Sequence, residues 1–502
     1  MRGYRTLILA GAIAAWTGAA AAETTLHIGL AEDPDILDPT LARTFVGRIV
    51  FAGFCDKLFD IAPDLKLVPQ LATEYKWSPD NKALTLTLRQ GVKFQDGTPF
   101  NAEAAKFSLD RHLTMKGSNR KNEISAVAKV EVVDDHTIKL DLSEPFAPLI
   151  AQLTDRAGMM VSPKAAKELG DKFGTHPVCA GPYKFAERVA QDHITLERFA
   201  DYWDKANVHL DKVEYRIIPD STVRLANLRS GQLDLIERVA ATDVAGIKQD
   251  KSLKLASIVS LAYQGITINV NNGPLSKNPL GQDARVRKAL ELSIDRDAIN
   301  QVVFNGEFLP GNQWVSPENP YYAKSVPIPK RDIAKAKELL KEAGQPNPSF
   351  TLMLPVGPEN EQVSQVIQSM AKEAGFDIKL QATEFARSLD LSEQGQMQAF
   401  DIGWSGRTDP DGNIYALISC KGTLNDGHYC NETVDKELNL ARTTSDPAER
   451  LKHYTAVAEQ LAKDDPIIYL YHRKWIYAFS PKVTGFVPVP DGLIRVKGVS
   501  FK

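Results

Sequence analysis

The sequence lacks the motifs of the common hydrolases and of metal sites. It has no His-Glu-x-x-His zinc motif, no Gly-x-Ser-x-Gly elbow and no phosphate-binding glycine loop, and its nine histidines are scattered without ligand spacing. Ser118 and Lys121 fit the Ser-x-x-Lys pattern, but chance alone supplies about one such match in a chain rich in both residues. We therefore expect neither an enzyme nor a resident metal or cofactor, and an exported hydrolase is the weaker alternative.

The sequence also lacks an excess of positive charge and, beyond its first residues, any long apolar run. Lys and Arg number 60 against 63 Asp and Glu, so without Arg2 and Arg5 of the N-terminal segment 58 face 63 and the net charge is −5. No basic patch suits a phosphate backbone, and no later stretch approaches the roughly 18 to 20 apolar residues that cross a bilayer. Nucleic acid is not an expected partner.

The first 22 residues have the pattern of a secretory signal peptide. Arg2 and Arg5 precede an apolar run at residues 7–15, and three alanines at residues 20–22 precede Glu23. Cleavage is expected after Ala22. Because no cysteine follows that point directly, we do not expect a lipid anchor, and the mature chain is predicted to be soluble outside the inner membrane.

Cysteine is scarce, with four in 502 residues. In an exported protein, cysteines favour disulfides over metal ligands. Cys420 and Cys430 bracket a loop rich in Gly, Asn and Asp and could close it on itself, which leaves Cys55 with Cys179. The alternative, four buried thiols, stays open.

Hydrophobic periodicity predicts an α/β chain. A strand at residues 24–30 is followed by turns, an apolar helical stripe at residues 333–343 stops at Gly344, and another at residues 363–374 stops at Gly375 before a strand at 376–380. Helix, glycine stop and strand is the order typical of an α/β lobe. About 480 residues exceed one core, so two or three lobes are expected.

Residues 400–412 (FDIGWSGRTDPDG) are predicted to form one wall of a ligand site. A short apolar strand ends there in closely spaced Gly and Pro, among which lie Trp404, Arg407 and Asp409. Alternatively, Trp404 is core and Arg407 pairs with Asp409 or Asp411 on a solvated turn. Glu32 follows the first strand and is a further ligand candidate, although a turn-forming role is at least as good an explanation.

A series of motifs occurs in the order found in one family. They are residues 37–39 (LDP), 88–103 (LRQGVKFQDGTPFNAE), 107–111 (FSLDR), 181–185 (GPYKF), 201–203 (DYW), 229–234 (RSGQLD), 286–290 (VRKAL) and 294–296 (IDR). The chain thus resembles the solute-binding proteins, family 5, of bacterial ABC importers for peptides, opines, nickel and related solutes. The motifs cover nearly all of the chain beyond residue 22.

The resemblance implies a bilobal periplasmic binding protein of type II, large and similar to cluster C, with an extra inserted α/β domain. Carried onto this numbering, lobe I is residues 23–55, 180–262 and 480–502, the inserted domain is 56–179 and lobe III is 263–479. The same resemblance implies a periplasmic monomer that encloses a small solute by lobe closure and delivers it to an ABC permease in the inner membrane. A Cys55–Cys179 disulfide would then join the two points at which the chain leaves and re-enters lobe I around the inserted domain.

The resemblance also implies the site. In peptide-binding members a Trp and two small residues precede an aspartate that holds the peptide ammonium; here Trp404, Ser405 and Gly406 match, but Arg407 stands in the fourth place. A guanidinium repels an ammonium and suits a carboxylate. Alternatively, Arg407 turns away to Asp409 and the site is closed by Trp404, Tyr263 and backbone groups.

Further ligand contacts are placed by analogy alone, at Glu32, Arg156, Met159, Tyr263 and Gln264. The expected solute is a peptide or a peptide-like compound with an anionic group. The rival ligands are a dipeptide or oligopeptide, glutathione, an opine and a nickel chelate.

Overall fold

The computed structural model describes residues 23–502, and the predicted signal peptide lies outside them. The strands are β1 Thr25–Leu30, β2 Phe59–Ile61, β3 Leu67–Pro69, β4 Ala72–Trp77, β5 Ala83–Leu88, β6 Val127–Asp134, β7 Thr137–Leu142, β8 Tyr183–Val189, β9 His193–Arg198, β10 Lys212–Ile217, β11 Leu235–Ile236, β12 Lys254–Val259, β13 Tyr263–Ile268, β14 Leu309–Pro310, β15 Ser349–Pro355, β16 Asp377–Thr383, β17 Ala399–Trp404, β18 Ile467–His472, β19 Lys474–Phe479, β20 Val483–Thr484 and β21 Ser500–Phe501.

The α-helices are α1 Phe45–Phe54, α2 Ala102–Thr114, α3 Leu149–Gln152, α4 Pro163–Leu169, α5 Ser221–Ser230, α6 Val244–Gln249, α7 Pro279–Gln282, α8 Ala284–Ser293, α9 Arg296–Phe304, α10 Ile333–Glu342, α11 Pro358–Lys372, α12 Phe385–Glu393, α13 Tyr415–Ile418, α14 Glu432–Thr443 and α15 Pro447–Asp464. The predicted α/β class is confirmed. The two helices predicted before glycine stops are α10 and α11, and the strand predicted after the second stop is β16. Within residues 23–502 we find no helix that is both long and apolar enough to span a bilayer.

Three sheets organise the chain. A seven-stranded sheet has the order β12-β19-β11-β1-β10-β9-β8, a six-stranded sheet the order β14-β18-β13-β17-β15-β16, and a four-stranded sheet the order β4-β5-β7-β6. We call the parts built on them lobe I, lobe III and the inserted domain, respectively. The first two sheets are mixed, since β1 runs parallel to β10 and β11, and β15 runs parallel to β16 and β17.

The chain crosses between lobe I and lobe III twice, from β12 to β13 and from β18 to β19. The crossings lie side by side, because Ser260 N donates to Arg473 O at 3.2 Å and His472 Nδ1 lies 2.8 Å from Ala262 O. The division into residue ranges stays a prediction. On strand pairing alone, β19 belongs to the sheet of lobe I, so lobe III would end near Arg473 rather than at 479.

Both predicted disulfides, Cys55–Cys179 and Cys420–Cys430, are present. Cys55 directly follows α1 of lobe I, and Cys179 shortly precedes β8 of the same lobe, so the first bond joins the exit and the return of the chain around the inserted domain. The second closes a loop of lobe III. Because cross-linking a longer loop removes more entropy from the unfolded chain, the two bonds should differ in effect.

We expect loss of the Cys55–Cys179 bond to cost more stability than loss of Cys420–Cys430. The sequence separations are 124 and 10 residues, for which loop-closure entropy gives about 5 and about 3 kcal/mol. Urea unfolding of the paired Cys→Ser variants measures both. Equal losses, or a larger loss for the shorter loop, would contradict the entropic account.

A buried carboxylate lies in β17, the strand that leads to the predicted site loop. Asp401 accepts hydrogen bonds from Gln264 Nε2 at 2.8 Å and from Ser364 Oγ at 3.0 Å. Burial raises the pKa of Asp401 to about 6, against the lowering effect of these hydrogen bonds. The protonated form is therefore favoured by the fold.

The raised pKa of Asp401 predicts a pH dependence of stability. The unfolded carboxyl has a pKa near 3.8, so the contribution of Asp401 is fully present below pH 3.8 and is lost as the pH rises through about 6. The free energy of unfolding of Asp401→Asn, relative to that of the parent chain, should then increase by about 2 to 3 kcal/mol from pH 4 to pH 7.5. Urea unfolding at both pH values measures this gain, with the exposed Asp135→Asn as control. A pH-independent difference would contradict the assignment.

Candidate functional site

The predicted site loop leaves β17 at Trp404, which stands opposite Tyr263 of β13. Gly406 has a φ of +83°, and a Cβ placed on it would lie 2.3 Å from the carbonyl of Leu261, so only glycine fits where the loop passes the first crossing. Trp404 Nε1 donates to Gly412 O at 3.0 Å, which folds the loop back on itself. The loop is thus held against the hinge between the lobes.

Arg407 is buried and points toward the inserted domain. Its Nε lies 2.6 Å from Asp155 Oδ2, its Nη1 donates to Gly406 O at 2.8 Å and to Ser405 Oγ at 3.3 Å, and its guanidinium carbon lies 4.6 Å from the centre of the Trp404 ring. The alternative that Arg407 pairs with Asp409 is wrong. Asp409 instead accepts two hydrogen bonds of 2.7 Å from Arg450.

Arg48 of α1 reaches the same carboxylate from lobe I. Its Nε donates to Asp155 Oδ1 at 3.1 Å and its Nη1 donates to Ser405 Oγ at 3.1 Å. Asp155 lies in the inserted domain, just before a short helical turn. One carboxylate therefore holds arginines from two lobes, and all three parts of the chain meet at it.

More charged groups surround this carboxylate. Arg156 is buried and donates to Ala42 O at 2.7 Å, and Arg120 pairs with Glu123 at 2.5 Å. We call the arginine cluster the set of mutually interacting residues Arg48, Arg120, Arg156, Arg407, Asp155 and Glu123. Four guanidiniums face two carboxylates, so the cluster has a formal charge of +2.

The electrostatics of the cluster follow from burial and charge. Burial alone would raise the pKa of Asp155, but the arginines, Arg407 foremost, hold it well below its usual value. Burial, reinforced by the neighbouring Arg48, lowers the pKa of Arg407 to about 10, so this guanidinium remains protonated at neutral pH. Burial likewise lowers the pKa of Arg156, with Arg120 adding to the effect. A buried excess of positive charge is costly without an anion.

Some of the arginine donors are unused. Two donors, Arg407 Nη2 and Arg156 Nε, are buried and lack a hydrogen-bond partner within residues 23–502. The acceptor Glu123 Oε2 is likewise buried and has no partner there. A cavity of about 20 Å³ between the inserted domain and lobe III is lined by Glu123, Gln152, Trp404 and Arg407, among others. The cavity has room for about one water molecule, so the site in this conformation is closed around its charged groups.

The inserted domain also touches lobe III beside this cavity. Arg442 lies 3.4 Å above the centre of the Tyr415 ring and 4.6 Å from that of Phe146, and its Nε lies 2.9 Å from Asp411. The amide of Ala147 donates to Arg442 O at 2.8 Å. The inserted domain is thereby a third wall of the closed site.

The structure brings together only some of the predicted ligand residues. Five of them lie in or beside the arginine cluster: Trp404, Ser405, Gly406, Arg407 and Arg156. A sixth, Tyr263, adjoins Trp404. Tyr263 is buried with its ring centre 4.9 Å from that of Tyr469.

The other predicted ligand residues are occupied elsewhere. Glu32 pairs with Arg238 at 2.5 Å in lobe I, Gln264 binds Asp401, and Asp409 binds Arg450. Met159 is fully buried in the core of lobe I. Their ligand contacts stay predictions.

Sequence reasoning missed Arg48 and Asp155. The sequence contained a feature that could have pointed to Arg48: it is the one charged residue in α1, whose remaining residues are apolar or glycine. Asp155 is adjacent to Arg156, which was placed by analogy. Among residues 23–502, no group of three or more His, Cys, Asp or Glu is arranged to hold a metal ion.

Comparisons with known proteins agree with this architecture. Residues 66–425 match the family model of the bacterial extracellular solute-binding proteins, family 5 Middle. The chain is 33% identical over 496 residues to the glutathione-binding protein GsiB of Salmonella typhi, which covers 96% of this chain and 95% of that protein.

Solved structures share the whole fold. The PBP AgaA from A. tumefaciens R10, in complex with agropinic acid, superposes with a TM-score of 0.85 at 30% identity and covers 95% of this chain and 99% of that one. The binding protein DppA of Helicobacter pylori, in complex with the peptide STSA, gives a TM-score of 0.87 at 25% identity, over 95% and 98% of the two chains. The predicted type II periplasmic binding protein fold is confirmed, and the chain belongs to the family 5 solute-binding proteins of ABC importers.

Proposed function

We propose that this protein captures a peptide-like solute that carries a carboxylate, and that Arg407 binds this carboxylate when the lobes close. The mature chain starts at Glu23, acts as a monomer in the periplasm and delivers the solute to its permease in the inner membrane. Members of the family bind solutes for transport, so the chemistry of the site is recognition.

The observation that carries the proposal is the formal charge of +2 on the buried arginine cluster. A buried guanidinium without a counter-charge is unfavourable by several kcal/mol, whereas a charge-assisted hydrogen bond contributes about 1.5 to 3 kcal/mol. An anionic solute supplies the missing counter-charge and also forms charge-assisted hydrogen bonds with the guanidinium. A solute ammonium at the same place would add a further positive charge.

The ligands named for two similar proteins support an acid. Glutathione is a peptide with two carboxylates, and agropinic acid is a carboxylic acid by name. Both fit a guanidinium better than they fit the aspartate that stands at this place in peptide-binding members. Glutathione is the first solute to test because the proteins named for it are similar over nearly the full length of this chain.

Closure around the solute uses the two crossings as a hinge. Besides the shared Asp155, an exposed ion pair of 2.8 Å joins Arg43 of lobe I to Glu393 of lobe III. An exposed pair of this kind contributes at most about 1 kcal/mol. A solute that contacts both lobes adds its binding free energy to that of the buried Asp155 contacts and so favours the closed form that the permease recognises.

A solute that binds the closed form should stabilise the protein by mass action. A ligand at one hundred times its dissociation constant adds about 2.7 kcal/mol, so glutathione or agropinic acid should raise the melting temperature by several degrees. Glutathione diethyl ester, which lacks both carboxylates, should not. A thermal-shift screen with simple dipeptides included measures this. Stabilisation by the ester equal to that by the acid would contradict carboxylate recognition.

Arg407→Ala should weaken binding of the stabilising acid by at least about 100-fold, because two or more charge-assisted hydrogen bonds, each of about 1.5 to 3 kcal/mol, are lost. Isothermal titration calorimetry on the purified variant measures this loss. Arg450→Gln is the matched control, since it removes another buried, ion-paired arginine beside the same loop. A dissociation constant within threefold of the parent value for Arg407→Ala would refute the proposal.

A further inference from the structure

Arg48 and Arg407 are held in the same way although they come from different lobes. In each, Nε faces the carboxylate of Asp155 and Nη1 donates to Ser405 Oγ. Arg407 Nη2 is buried and has no hydrogen-bond partner within residues 23–502. Asp155 and Ser405 thus hold two guanidiniums side by side and leave a buried donor of Arg407 free.

The distances allow one anion to meet both arginines. The two Nη1 atoms lie 3.1 and 3.3 Å from the same oxygen, Ser405 Oγ, so they are at most 6.4 Å apart. Two hydrogen bonds of about 2.9 Å and the width of a carboxylate together span about 8 Å. The two guanidiniums are therefore near enough for one carboxylate to approach both. Because both N–H groups of Arg407 Nη1 are already donated, to Gly406 O and Ser405 Oγ, the donor that Arg407 has left for this carboxylate is Nη2.

The burial of Arg48 argues for a role beyond an internal ion pair. Only 2% of Arg48 is exposed, on a helix of otherwise apolar and glycine residues. A charge in such a place is disfavoured unless it is fully paired. Asp155 cannot pair fully with it, because it shares its one negative charge between Arg48 and Arg407. The second negative charge that the two arginines need is missing from the site.

We propose that Arg48 is the second binding residue for the solute carboxylate, which bridges Arg48 of lobe I and Arg407 of lobe III. This inference rests on the proposed function and deepens it: the anion itself ties the two lobes together. Ser405, matched by resemblance as a ligand contact, is a positioning residue here, as is Asp155. The substrate class is a solute whose carboxylate stands clear of its other groups, so that two guanidiniums can approach it.

The experiment compares an acid with its ester on matched variants. Calorimetric titrations use glutathione and glutathione diethyl ester, or agropinic acid and its methyl ester, with the parent chain, Arg48→Gln, Arg48→Lys and Arg407→Ala. Arg188→Gln is the control, because Arg188 is another lobe I arginine paired with an aspartate, Asp33, at 3.0 Å. Arg48→Lys keeps the charge and covers the case in which Arg48→Gln does not fold.

If Arg48 binds the carboxylate, Arg48→Gln weakens binding of the acid at least 30-fold and binding of the ester less than threefold. The affinity of Arg48→Lys for the acid then lies between those of Arg48→Gln and the parent chain. Arg188→Gln binds the acid as the parent chain does. Equal weakening for acid and ester in both Arg48 variants overturns the inference and makes Arg48 a bond between lobes only. If, in that case, Arg407→Ala still weakens binding of the acid more than binding of the ester, the proposed function stands. If Arg407→Ala weakens both equally, or if neither acid binds the parent chain, the proposed function and this inference are both overturned.

Discussion

The closed arrangement of this protein depends on one carboxylate shared between two lobes. Asp155 accepts from Arg48 at 3.1 Å and lies 2.6 Å from Arg407 Nε. Each of these residues belongs to a different part of the chain, so the contact exists only when lobe I, lobe III and the inserted domain are together. Because the carboxylate is buried, its interactions are weakly screened and their geometry is restrictive. The inserted domain thereby contributes contacts to the closed arrangement.

Under the proposed function, the same arrangement accounts for a preference for an anionic ligand group. Peptide-binding members place an aspartate where this chain has Arg407. Here the carboxylate comes instead from the inserted domain, and it serves to orient two guanidiniums. With Arg120 and Arg156 nearby and only Glu123 added in opposition, the site keeps an excess of positive charge. The fold is retained, and under the proposed function the preferred ligand group is an anion.

Local patterns in the sequence predicted much of the fold. The glycine stops marked the ends of α10 and α11, and the strand predicted after the second stop is β16. These features depend on neighbours a few residues apart, so they can be recognised in a single chain. The loop at Trp404 was recognised for the same reason.

The centre of the site could not be predicted in this way. Arg48, Asp155 and Arg407 are separated by more than 100 and by about 250 residues, and no local pattern specifies that they meet. Strand alternation places Gln264 and Tyr263 on opposite faces. Periodicity could not show, however, that Gln264 binds Asp401 or that Met159 packs into the core of lobe I. Arg407 itself was found because a charged residue replaced one of opposite sign in a recognisable motif.

The central claim is that two lobes close on the carboxylate of a solute, and a crystal structure of the protein grown with glutathione tests it most directly. The account predicts a glutathione carboxylate within hydrogen-bond distance, about 2.7 to 3.2 Å, of the guanidiniums of both Arg407 and Arg48. A bound glutathione whose ammonium or neutral groups face these arginines, with both carboxylates elsewhere, would contradict it.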